Sequence, residues 1–153
     1  MKKRGALRFI VAVVAASAIG ITTASPASAN GWIQWKNKKT GLCLGANGPN
    51  SYAVMKDCGE VGGWYEENID GTWRFKSTGA REGGQCLDSS TRGSVYWGAC
   101  EGYGNMYQRW QELSYGPGWV LKNAQTKLCL MSDPSNRIYT GNCDGDNEYQ
   151  YWA

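Results

Sequence analysis

The stretch Gln85–Trp110, QCLDSSTRGSVYWGACEGYGNMYQRW, decides how the rest of the chain is read. It holds Cys86-Leu87-Asp88, an aromatic pair Tyr96-Trp97, a second cysteine Cys100, a glycine-bearing loop and Gln108-Arg109-Trp110. Parts of it recur on both sides. Cys43, Cys86 and Cys129 stand 43 residues apart each time, and Cys58, Cys100 and Cys143 follow at spacings of 42 and 43. Gln150-Tyr151-Trp152 repeats the Gln-x-Trp 42 residues later. An apolar–x–apolar–Lys–Asn/Ser opening precedes each first cysteine: Ile33–Asn37, Trp73–Ser77 and Trp119–Asn123. A register shared by cysteines, openings and Gln-x-Trp predicts three copies of one unit, at approximately 31–70, 71–115 and 116–153.

Each unit reads as about four short strands. Every second residue is apolar in Trp32–Trp35, Trp73–Phe75 and Trp119–Leu121. Thr40-Gly41, Gly83-Gly84 and Pro134-Ser135-Asn136 read as turns. No stretch reads as a long helix. Three four-stranded units that leave no free edge are expected to close around a pseudo-threefold axis. Leu44, Leu87 and Leu130 are then core positions, as are Trp110 and Trp152. Composition agrees, because Trp, Tyr and Gly are abundant and favour short strands and turns.

The N-terminus carries Lys2, Lys3, Arg4 and Arg8, an apolar run from Phe9 to Ile21, then Pro26 and Ala27-Ser28-Ala29. This pattern is that of a secretory signal peptide, residues 1–29, with cleavage expected after Ala29. The run is 13 residues long, short of the ~18–20 needed to span a bilayer, so no membrane insertion is expected. Without that segment 12 basic residues face 13 acidic ones, which argues against nucleic acid as a partner. Lys36, Lys38 and Lys39 read as a solvated turn. Six cysteines suit an exported, oxidised protein. Six allow 15 pairings. Spacing suggests Cys43–Cys58, Cys86–Cys100 and Cys129–Cys143. With no CxxC and no His, a zinc site is discounted.

Repeated Cys-Leu, a second cysteine about 14 residues on and a Gln-x-Trp beyond it resemble the ricin B-type β-trefoil lectin domains. The resemblance spans residues 30–153. It implies an all-β β-trefoil with a disulfide inside each repeat, and shallow carbohydrate pockets, one per repeat at most. It also implies the pocket's parts. An Asp two residues after the first cysteine accepts hydrogen bonds from vicinal hydroxyls. An aromatic ring before the second cysteine covers the apolar sugar face. Polar residues lie at or before the Gln.

In the middle repeat these positions fall on Asp88, on Tyr96 or Trp97, on Gln108, and on Asn105 in place of the family's Asn. Counting back from Cys100 puts the platform at Gly98, so Tyr96 and Trp97 stay open as alternatives. The competing reading of Asp88 is a turn cap bonded to Ser89 or Ser90. The first repeat has Gly45 at the Asp position, Met55-Lys56 at the platform and Glu66-Glu67-Asn68 where its Gln-x-Trp has decayed; no site is expected there. The third has Met131 at the Asp position, Asp133 two residues on, Tyr139 as an aromatic and Gln150; a core role is expected for its Gln-x-Trp, with a relocated site as the alternative.

Other chemistries are weaker. Glu66-Glu67 would point to opposite faces of a strand and reads as a surface pair rather than a glycosidase pair. A chain without His excludes a Ser-His-Asp or Cys-His site. Gly102-Tyr103-Gly104 lacks the third glycine of a dinucleotide loop. Asp144–Glu148 lacks the EF-hand spacing and reads as an acidic turn. The expectation is a secreted, non-enzymatic module without cofactor or metal, binding a glycan or polysaccharide mainly through the middle repeat. The alternative is a protein-binding trefoil, an inhibitor or a recognition subunit of a larger secreted, toxin-type assembly, with degenerate sugar sites.

Overall fold

The computed structural model describes residues 30–77 and 84–153. The expected signal segment and Gly83 of the Gly83-Gly84 turn lie outside the described residues. The described chain is all-β, with eleven strands and two short 3₁₀ turns. Five strands form an antiparallel series in the order β1 (Gly31–Ile33), β4 (Trp64–Ile69), β5 (Thr72–Ser77), β8 (Trp110–Tyr115) and β9 (Gly118–Asn123). The series closes on itself. Trp152 exchanges both backbone hydrogen bonds with Trp119 at 2.9 Å, and Lys36 does the same with Ala153 at 2.9 Å. A closed barrel leaves no free edge for another chain to pair with.

Three hairpins cap one end of this barrel: β2 (Cys43–Ala46) with β3 (Ala53–Lys56), β6 (Gln85–Ser89) with β7 (Val95–Ala99), and β10 (Cys129–Ser132) with β11 (Ile138–Gly141). Bridges Tyr52↔Tyr96, Ser94↔Tyr139 and Val54↔Arg137 join them around one axis. This is the expected β-trefoil. The disulfides are Cys43–Cys58, Cys86–Cys100 and Cys129–Cys143, each within its repeat. Each bridge closes a loop of about 15 residues, worth ~3 kcal/mol in the chain-entropy account.

The core is built in layers from equivalent positions. Trp35, Phe75 and Leu121 come from the openings; Leu44, Leu87 and Leu130 follow the first cysteines; Trp64, Trp110 and Trp152 complete it, all nearly solvent-free. The three tryptophans act alike. Their indole N–H groups donate to the carbonyls of Leu44, Leu87 and Leu130, at 2.9, 3.1 and 3.1 Å. Trp64 is therefore the first repeat's counterpart of Trp110. This corrects the expectation that Glu66-Glu67-Asn68 holds that place. The loop after Cys58 is shorter than its counterparts, so the third member of the motif comes at Gly62-Gly63-Trp64. Gln34 supplies the missing amide, donating to the carbonyls of Cys58 and Val61 at 2.7 and 3.1 Å.

A second correction concerns Glu66. Its neighbour Glu67 does face outward, paired with Arg74 and Lys76 at 2.6 and 3.0 Å. Glu66 lies on the face of β4 that also carries Trp64, and it is buried. It meets Glu112 of β8, two residues beyond Trp110. Burial, and then the Glu66 charge, push Glu112 up to about 8. Burial also raises Glu66. Neighbouring buried carboxyls disfavour a second negative charge, so one of the pair keeps its proton.

That proton sets a pH dependence. Between pH 4.5, the ordinary value, and about 8 the unfolded chain has released a proton that the folded chain keeps. Stability therefore falls as pH rises through this window. Glu112→Gln removes the effect. The variant should melt several degrees above the parent at pH 8, and the difference should vanish below pH 4.5, as followed by thermal unfolding across that range.

Candidate functional site

The site grows from the pairing of β6 with β7, where Asp88 stands opposite Tyr96. Leu87 is turned into the core, so alternation turns Asp88 the other way, beneath the outer surface of the hairpin. There a cleft of about 730 Å³ opens, with Asp88, Tyr96, Glu101, Asn105 and Tyr107 among its lining residues. Asp88 is 5% exposed and forms the floor. Its Oδ2 accepts a hydrogen bond from Gln108 Nε2 at 3.0 Å, while Oδ1 has no partner within hydrogen-bonding distance. Burial raises the Asp88 pKa, and the hydrogen bond from Gln108 holds it back. Burial and the Asp88 charge raise Tyr96 in turn.

The structure brings Asp88, Tyr96 and Asn105 to one cleft. It separates Trp97 and Gln108 from it. Trp97 is fully buried, stacked on Trp64 with ring centroids 3.8 Å apart and planes 7° from parallel. Its indole donates to the Gly45 carbonyl at 3.1 Å. Trp97 is a core residue, and of the two rings it is Tyr96 that lines the cleft. The Tyr96 ring leans across Gly98, where a Cβ would come within 3.6 Å of it. The position counted as the platform is thus covered by the ring from two residues earlier.

Gln108 stands behind the cleft at 1% exposure. It donates to Ala99 O at 2.9 Å as well as to Asp88, and it accepts from the Glu101 amide at 3.0 Å. A side chain with both ends so occupied and almost no surface left holds Asp88 and Glu101 in place. Gln150 repeats two of these bonds, to Asn142 O at 2.7 Å and from the Asp144 amide at 2.9 Å. Asn105 Oδ1 caps the 3₁₀ turn Met106–Gln108 through the Tyr107 amide, and its Nδ2 donates to Glu101 Oε2 at 2.9 Å. The competing cap reading of Asp88 passes to Ser90, whose Oγ accepts from the amides of Arg92 and Ser94.

Residues not singled out in the sequence hold the cleft's far wall. Arg74 donates to Glu101 O at 2.9 Å and lies over the Tyr103 ring at 4.8 Å. Arg109 donates to Tyr103 O at 2.8 Å and to Thr72 Oγ1 at 2.6 Å. The loop Gly102-Tyr103-Gly104 is thereby fixed from behind by two arginines. Asn123 from the third opening donates to Tyr107 O at 2.7 Å, and its Oδ1 caps the turn that brings Gln125 to the cleft. The Lys-Asn/Ser opening was the signal for this clamp, since Asn37 donates to Tyr149 O in the same way at 2.8 Å.

The other repeats fill the equivalent space. A Cβ at Gly45 would lie 2.5 Å from Val61 Cγ1, so the short loop after Cys58 plugs the first cleft. In the third repeat Met131 replaces the aspartate and is buried, its Cε 2.9 Å from where a Cβ on Gly141 would stand. Asp133 is a turn cap, accepting from the Ser135 and Arg137 amides at 2.8 and 3.0 Å and paired with Arg137. In Asp144–Glu148, Asp144 caps the Asp146 amide at 2.9 Å. Among the described residues no group of three or more His, Cys, Asp or Glu side chains gathers for a metal.

The family model of the ricin-type beta-trefoil lectin domain matches residues 31–152. The chain belongs to that family. Its domain is a carbohydrate-binding module, typically non-catalytic. None of the curated proteins matches the chain. Among solved structures, this lectin-family chain is similar to the designed 3-fold symmetric protein ThreeFoil, at 15% identity and a TM-score of 0.66, over 79% of this chain and 95% of that one. It is similar also to a GlcNAcα1-4Gal-releasing endo-β-galactosidase from Clostridium perfringens, at 17% and 0.68, over 79% and 31%. A third is the cytolethal distending toxin from Actinobacillus actinomycetemcomitans, at 15% and 0.66, over 79% and 88%. At these identities the likeness is one of fold.

The plug in the first repeat carries a prediction. Gly45→Asp, which would restore the aspartate of the middle repeat there, should destabilise the fold by about 1–3 kcal/mol through overpacking against Val61. Pairing it with Val61→Gly should recover most of that loss, as read from urea unfolding of the two variants.

Proposed function

We propose that this chain is a secreted glycan-binding module that acts by non-covalent recognition through the middle repeat, in which Asp88 and Tyr96 meet the sugar. The supporting observation is the unpartnered Oδ1 of Asp88 on the floor of a cleft rimmed by a half-buried tyrosine ring. Gln108 holds the carboxylate from behind through Oδ2 alone. A pair of vicinal hydroxyls can donate to what remains, while Tyr96 covers the adjoining C–H face. The first and third repeats, plugged by Val61 and Met131, contribute frame. Secretion follows from the charged, apolar and small-residue pattern of residues 1–29.

A second reading, protein recognition, is favoured by exposed rings away from the cleft. Trp32, Tyr115 and Trp119 are 66%, 47% and 41% exposed, and tyrosine and tryptophan are common at protein interfaces. The neighbouring cytolethal distending toxin lends this reading a precedent of fold only.

Asp88→Asn separates the readings. It keeps an acceptor for Gln108 and removes a buried charge, so the melting temperature should equal or exceed the parent's. Glycan-array binding should drop to background. The parent's binding should weaken as pH falls through the raised Asp88 pKa, at a higher pH than an ordinary aspartate would give. A variant that binds as the parent does would sink the middle-repeat site. A blank array for the parent, with a stoichiometric protein captured from culture supernatant, would favour the second reading.

A further inference from the structure

The surface beside the Asp88 cleft continues past Tyr96. On the other side of that ring a second depression of about 910 Å³ lies between the β6–β7 hairpin and the loop joining β2 to β3. Ser90, Thr91 and Tyr96 line both, so Tyr96 stands as a low partition between two contiguous clefts. Both volumes fall in the ~300–1,000 Å³ range of small-molecule sites.

The two clefts differ in charge. Asp88 and Glu101 line the first, and no cationic side chain is among its described lining residues; Arg74 stands behind it, on the Glu101 carbonyl. In the second, Arg92 is the one charged side chain among the described lining residues. Around it are the amides of Asn47 and Asn50, several hydroxyls, and the ring of Tyr52, which is 71% exposed. Amides, hydroxyls and an open tyrosine ring suit a sugar, and a guanidinium fork matches a carboxylate or a sulfate.

Both walls are held in place before any ligand arrives. Asn50, at a φ of 53°, donates its amide to Gln85 Oε1 at 3.0 Å, and Ser51 O accepts from the Trp97 amide at 2.8 Å. Across the cleft, Gly93 has a φ of 85° and its carbonyl accepts from the Thr140 amide at 2.8 Å. A Cβ on Gly93 would come 2.7 Å from Thr140 O, so only glycine lets the hairpin tip sit this close to the third repeat. The backbone of Arg92 is thereby fixed while its side chain reaches solvent. A rigid wall loses little entropy on binding.

We propose that one oligosaccharide lies across both clefts, with a neutral sugar on Asp88 and an adjoining acidic sugar, a uronate or a sulfated residue, against Arg92. Tyr96 lies between the two units and Tyr52 flanks the second. The direction is set by charge, because Asp88 and Glu101 repel an anion from the first cleft. The proposal rests on the glycan-binding reading of the Asp88 cleft.

The test is a printed panel of matched trisaccharides. Each neutral member stands beside counterparts in which one terminal hexose is replaced by its uronate or carries one sulfate. The parent should bind the favoured acidic member about five-fold tighter than its neutral match, the scale of one exposed charge-assisted contact. Raising NaCl from roughly 0.05 to 0.5 M should erase that preference by screening. Arg92→Gln should bring the two members of the pair together, Arg92→Lys should keep part of the preference, and Asp88→Asn should lose both members. Equal binding of the pair by the parent, or a preference that survives Arg92→Gln, overturns the acidic-sugar site and leaves the Asp88 reading standing. A parent that binds no member of the panel overturns both.

Discussion

Three buried indole N–H groups bonded to three leucine carbonyls tie the two halves of this molecule together. Trp64, Trp110 and Trp152 are barrel residues; Leu44, Leu87 and Leu130 belong to the hairpins that cap the barrel. A fully buried indole needs an acceptor, and the leucine carbonyl is the one on offer in every repeat. Each bond fixes a hairpin over its own barrel strand. Each also fixes which residues of the hairpin face inward, because the leucine whose carbonyl is used has its side chain in the core. In the middle repeat the next residue is Asp88. Its position under the outer cleft is thus a consequence of where Leu87 is held.

The frame is threefold, but its contents are not. Gly45, Asp88 and Met131 occupy equivalent places after the leucines, and each place has a different neighbour. Val61 fills the first, the Met131 side chain fills the third, and only the second is left hollow above a carboxylate. The hollow is held open by groups that never line it. Gln108 sits behind the carboxylate, and Arg74 and Arg109 hold the loop opposite. Burying Asp88 raises its pKa and so costs stability at neutral pH. A partly satisfied, desolvated carboxylate at a cleft floor is the kind of expense more often found at functional sites than in inert frames.

The repeat, the disulfide pairs and the leucine and tryptophan core positions were legible in the sequence because they share one spacing. Two features resisted. Counting from the cysteines misplaced the first repeat's motif, since the loop after Cys58 had shortened and moved the tryptophan up to Trp64. That residue was the available signal: it is the sole tryptophan between Cys58 and the next opening. The second was the choice between Tyr96 and Trp97. Alternation said they face opposite ways, but two adjacent aromatics do not reveal which way is in. Glu66 was hidden for a related reason, as two adjacent glutamates look alike until one of them meets Glu112 inside the barrel.

By itself the sequence determined that this protein has three units of one kind with one chemically unlike the others, and its family resemblance implied a β-trefoil bridged within each unit. Those properties lie in periodicity and residue type, which survive in one dimension. Tertiary structure alone decided that Trp97 stacks on Trp64, that Gln108 is bonded to Asp88 and Ala99 behind the cleft, that Val61 closes the first cleft, and that Tyr96 parts two clefts of different charge. Each of these depends on a contact between segments far apart in the chain. No local pattern records the far partner of such a contact, so only the folded packing could select among the alternatives that residue type left open.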